Sequence, residues 1–202
     1  LNQTFLFISI LLFAISCEEE KVVEKKVVKV KVVQDVDVSV KKEIFSLLTK
    51  RINYSTLALL DDTIRTIEYI LPQFEKSAPY FTQKAKWTAL ADTLLNILKD
   101  ARYYGLIPND YHYSEIKELN KTWFNLSDSV YDAFAIARAE ILMMDACYKF
   151  GAHLNKGRFY PDSLLLEWNP KKLDSNWVEI INHGLHTGNI RAAFDSLEPQ
   201  HE

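Results

Sequence analysis

Glycine is scarce in this chain, with five in 202 residues. So few disfavour a sandwich or barrel, which needs many tight turns. Cysteine is scarcer still, at two, Cys17 and Cys147. A basic excess is also missing, since the net charge is −3, and without a positive field nucleic acid is not an expected partner. The sequence holds no Gly-rich phosphate loop, G-x-S-x-G elbow, S-x-x-K or H-E-x-x-H. Cys147 stands in Asp145-Ala-Cys-Tyr-Lys149 with no glycine-rich turn to present a thiolate, and reads as a small buried hydrophobe. No catalytic centre, metal site or cofactor is expected from these residues. What the chain does have is aromatic content of 12%, which excludes disorder, and about 160 residues beyond its N-terminal stretch, enough for one domain with a core.

The N-terminal stretch has its own character. Phe5–Ile15 is an apolar run of signal-peptide length, too short to span a bilayer comfortably. It runs into Ala14-Ile15-Ser16-Cys17, which resembles a bacterial lipobox. Residues 1–16 are therefore expected to be a lipoprotein signal, and Cys17 the acylated anchor. Several acyl chains on one residue suffice for stable membrane attachment. The chain starts at Leu1 without Met or a basic n-region, so its first residues are expected to be missing. Glu18–Val40 then alternates valine with Lys, Glu and Asp. A strand is conceivable there, but with no turn and no aromatic residue the stretch reads better as a flexible tether over 17–41.

From residue 42 the periodicity is helical, and the expected fold class is all-α, a helical bundle. The span Thr56–Phe74 places Leu57, Leu60, Ile64, Ile67 and Leu71 on one face, with Pro72 ending or kinking the helix. A second helix, Trp87–Tyr104, turns Leu90, Leu94 and Ile97 inward and leads to Gly105. There a left-handed stop, Leu106 folding back and Pro108 blocking resumption make a fixed corner, with Asp110 placed to cap the next helix. The longest helix, Asp128–Lys156, carries two apolar seams and is placed at the centre of the bundle. Asp145 and Lys149 are read as an i,i+4 pair on its narrow polar strip. Gly157, Pro161 and Trp168 make a second corner. Asp174 or Ser175 is expected to cap a helix that Gly188 stops, and Asn189 to cap Ile190–Leu197.

Few side chains invite chemistry. Glu140 points towards the core, with Arg138 and Arg102 as expected partners in a structural ion pair. His183 and His186 stand i,i+3, a spacing that can serve a metal, yet no further ligand repeats it. A metal-dependent enzyme using them, or Glu140 with His153, is the weakest reading. His112 and His153 read as histidines tucked at helix ends.

Three segments carry a family resemblance. Gly105, Leu106, Pro108, Tyr111 and His112 match a GL-x-P-x-x-Y-H pattern. Gly157, Arg158, Pro161 and Trp168 match G-R-x-x-P…W, and Gly188, Ile190, Leu197, Pro199 and His201 match a closing run. In this order they resemble the N-terminal scaffold domain of the large L,D-transpeptidases, which cross-link murein. The resemblance implies a non-catalytic frame at the periplasmic face of a bacterial envelope, with peptidoglycan as partner through the parent protein; the lipid anchor is the expectation drawn from Cys17. Glu18–Glu20 after the cysteine leaves a surface-facing location open. It also implies a catalytic domain in cis, with a cysteine in an S/T-x-G-C-R/H setting that is absent here, so no catalytic residue transfers to any position. Tyr103, Tyr104, Tyr111, Tyr113 and Trp168 are candidate contact residues, unless they are packed at helix ends. The alternative is a stand-alone envelope lipoprotein with a helical protein-binding module.

Overall fold

A computed structural model of the chain describes residues 36–49, 57–59, 62–64, 66–77, 79–124, 131–158 and 176–198. Among them the architecture is all-α, with two small antiparallel hairpins added.

The first helix, α1, is Val36–Thr49 and begins inside the stretch read as a tether. Val40, Ile44 and Leu48 recur every fourth residue, and each is at most 1% exposed. That stripe packs along the central helix. Between them the first departure from expectation occurs. Where one helix over 56–74 is expected, β1 (Leu57–Leu59) pairs with β2 (Asp62–Ile64), Leu57 opposite Ile64. Helix α2 follows only at Ile67–Lys76. The leucine spacing satisfied a helical period over too few turns to exclude a hairpin. Pro72 lies inside α2 instead of ending it. The carbonyl it leaves without a helical partner belongs to Glu68, an exposed residue that water can reach.

A second hairpin, β3 (Thr82–Gln83) with β4 (Lys86–Trp87), precedes α3 (Ala89–Lys99), so Trp87 is a strand residue and not the first of a helix. Its two turn residues, Lys84 and Ala85, both have positive φ, at 50° and 57°. This is the backbone that two-residue hairpin loops require, built without the glycine or asparagine that usually announces it. The hairpin is held from outside: Lys84 N–H donates to Asp37 Oδ1 of α1 at 2.7 Å.

Two 3-10 turns, Ala101–Tyr104 and Pro108–Tyr111, lead into α4 (Tyr113–Phe124). The central helix α5 is Ala133–Lys156, shorter at its start than expected because Asp132 caps it, accepting from Phe134 N and Ala135 N. Residues 136–148 of α5 are buried without interruption, as a helix surrounded by others must be. Phe134, in the first turn of α5, is 37% exposed although it belongs to an apolar seam of the sequence. Helices α6 (Trp177–Thr187) and α7 (Ile190–Leu197) pack on one another and on α5, Gly188 stopping the first at φ 72° and Asn189 capping the second. Small residues let them approach: a Cβ on Gly184 would stand 2.7 Å from that of Ala193. Asp174, Ser175 and Pro199 lie outside the described residues, as do Pro161, Trp168 and His201.

Candidate functional site

The residues of the first motif build one corner, locked onto α5. Gly105 takes the left-handed conformation, φ 70° and ψ 16°, and Leu106 N–H donates back to Ala101 O at 3.1 Å. Leu106 is thereby turned inward and buried, as expected. Among the described residues, its chain neighbours aside, no atom lies within 4 Å of a Cβ built on Gly105, so a side chain there meets the backbone penalty and no packing clash. Gly105→Val is expected to lower stability by roughly 1–2 kcal/mol, read as a fall in melting temperature.

Tyr111 and His112 then enter the core. Tyr111 is fully buried, packs edge-to-face on Phe150 at 5.0 Å, and meets His153 Nδ1 through its hydroxyl at 2.8 Å. Burial pushes the tyrosine pKa up, while burial first and then the Lys149 cation hold His153 below its ordinary value. The phenol therefore keeps its proton beside a neutral imidazole, and the tautomer of His153 sets which of the two donates.

His112 has φ 57°, is 5% exposed, and places Nε2 2.6 Å from Asp145 Oδ2. Asp145 is 0% exposed, which corrects its placement on a solvent-facing strip. The expected pair with Lys149 does form, at 3.3 Å, but inside. Thr66 completes the set: its hydroxyl donates to Asp145 Oδ1 at 2.6 Å and its N–H at 3.3 Å. Burial works to raise the Asp145 pKa, yet the His112 bond, the Lys149 charge and the Thr66 hydroxyl together outweigh it and hold the carboxyl below its usual range. The result is an ionised carboxylate whose partners come from α2, the corner and α5 itself. Asp110, expected to cap α4, instead sits within a 3-10 turn and binds Arg158 at 2.6 Å, tying the end of α5 to the same corner.

Glu140 forms a second buried node. It faces the core as expected, but its acceptor oxygens serve the hairpin: Phe81 N–H at 2.9 Å, Thr82 Oγ1 at 2.6 Å and Tyr80 N–H at 3.1 Å. Arg138 pairs with Glu115 of α4, and Arg102 is exposed. The sequence signal for Glu140 was sound; its partners are two backbone N–H groups and the Thr82 hydroxyl, some sixty residues away, which no local pattern reveals.

Nothing in this arrangement is poised for nucleophilic chemistry. Cys147 is fully buried and burial pushes its thiol pKa well up, opposite to what a reactive cysteine needs. His183 and His186 diverge: His183 lines an open cleft of about 540 Å³ between α6 and α7, whereas His186 packs edge-to-face on Tyr80. Among the described residues no group of three or more His, Cys, Asp and Glu comes together to hold a metal. Of the aromatic contact candidates, Tyr111 is buried, Tyr104 packs on Phe150, Tyr113 is half-buried, and Trp168 lies outside the described residues. Tyr103 alone stands out, 88% exposed.

Fold and site together define an all-α frame pinned by two buried carboxylates. Residues 73–202 match the family described as Scaffold domain, more than half of the chain, and the chain belongs to that family. No curated protein and no solved structure matches it.

Proposed function

We propose that this chain is the non-catalytic scaffold of an L,D-transpeptidase-like cell-wall protein, tethered to membrane lipid through Cys17. In this reading it positions, against peptidoglycan, a catalytic cysteine domain borne on the same polypeptide. One observation carries the reading. Among the residues that give the chain its resemblance to that family, Leu106, Tyr111 and His112 are each at most 5% exposed and directed into the core. Residues so placed hold a frame in shape and offer no group to a substrate. The match of residues 73–202 to the Scaffold domain supports the same role. Facing the periplasm is the location that fits it, with surface exposure the alternative.

Deleting codons 42–202 in the native bacterium tests the reading. Digested wall should then show fewer stem-to-stem cross-links of the kind made from tetrapeptide donors. An unchanged cross-link profile, or cross-linking by the purified chain alone, would refute it. Cys17→Ala should move the protein out of the membrane fraction, and continued membrane retention would exclude lipidation as the anchor.

A further inference from the structure

Tyr103 occupies an unusual place. Its backbone is rigid: its N–H donates to Asp100 O at 2.9 Å, and the next residue, Tyr104, wedges edge-to-face onto Phe150. Gly105 and Leu106 then fix the corner beyond it. Yet the Tyr103 side chain is 88% exposed, and among the described residues nothing bonds to it or stacks on it. Across the glycine, Ile107 is 45% exposed, so two apolar side chains flank one left-handed residue. Arg102 and Asn109 beside them are exposed as well, and Arg102 pairs with no carboxylate among the described residues.

We infer that the Tyr103 corner is a carbohydrate-contact platform, with the tyrosine ring covering a pyranose face and Arg102 taking a carboxylate of the same polymer. This rests on the cell-wall reading above, because peptidoglycan joins pyranose rings to carboxylate-bearing stem peptides, and removal of a stem frees the lactyl carboxylate of its sugar. The size of the surface favours a sugar over a protein. A stable protein interface needs about 800 Å² on each partner, and a single ring with one half-exposed isoleucine does not supply it. A sugar ring offers polarised C–H groups that suit the negative face of an aromatic ring. Because the corner is already ordered by folding, little further ordering opposes binding.

The full chain, kept in mild detergent, would be pelleted with purified peptidoglycan sacculi and with sacculi stripped of stem peptides by an amidase. Binding is expected on both. Tyr103→Ala should weaken it about tenfold, the effect of truncating an aromatic hot spot, with no change in melting temperature. Tyr103→Phe should retain it, and Arg102→Gln should weaken it more at low salt than at high. Equal pelleting of wild type and Tyr103→Ala would overturn the platform, and so would binding that disappears with the stems. Neither result touches the cell-wall reading, which stands or falls on the cross-link profile.

Discussion

Truncating Asp145 to alanine should lower stability by about 4 kcal/mol, the scale set by breaking a buried charged network from one side. His112 Nε2, the Thr66 hydroxyl and Lys149 Nζ all converge on this carboxylate, at 2.6, 2.6 and 3.3 Å. Removing it leaves buried donors with no acceptor, and water cannot enter a site that is 0% exposed without opening the packing. Urea unfolding of the full chain reads the effect directly. A loss below about 1 kcal/mol would mean that these groups find other partners and that the corner is not fastened through Asp145. Asp145→Asn separates charge from shape, since it keeps one acceptor and a similar volume. The pH dependence then has a fixed sign. A carboxyl held below its ordinary pKa stabilises the fold above about pH 4, and that contribution is lost as the pH falls below it. The asparagine variant should lack this acidic decline.

How much of this was legible in the sequence depended on whether the cause was local. The stops at Gly105, Gly157 and Gly188 were readable because positive φ is a property of one residue, and all three adopt it. The centrality of α5 was readable because apolar residues all around a helix require neighbours on every side. The hairpins were not. At Lys84-Ala85 the turn uses ordinary residues in left-handed conformations, held by Asp37 forty-seven positions away, so the local chemistry is silent. At 57–64, leucines fit two periods equally well over so short a span. The His112–Asp145 pair was half readable. A histidine at a helix end is a local fact, but its partner lies thirty-three residues on. The nearby Lys149 drew Asp145 towards a surface reading; an aspartate amid the apolar residues of α5 was the signal to weigh instead. Long-range polar pairing is a product of the fold, and only the assembled bundle displays it.

Glu140 provides the complementary test, because its pH dependence runs the other way. Burial raises its pKa from 4.5 to about 7, outweighing the bonds from Thr82, Tyr80 and Phe81 that favour the charged form. A carboxyl raised in this way binds its proton more tightly in the folded chain than in the unfolded one. Its contribution is therefore greatest below pH 4.5, shrinks as the pH climbs to about 7, and is level beyond. Glu140→Ala should cost about 3 kcal/mol at neutral pH, since it strands two backbone N–H groups and a hydroxyl and leaves a cavity. Glu140→Gln keeps an acceptor oxygen but turns an amide NH2 towards one of the other donors, and it cannot titrate. Comparing urea midpoints at about pH 5 and about pH 8 isolates the group. The wild-type difference should shrink in Glu140→Gln, whereas in Asp145→Asn it should persist, because that residue titrates below this window. A wild-type difference left intact by Glu140→Gln would mean that Glu140 keeps its charge throughout. The donors of the Tyr80–Thr82 segment would then outweigh burial, and the hairpin would be fastened by an ionised clamp across that whole pH range.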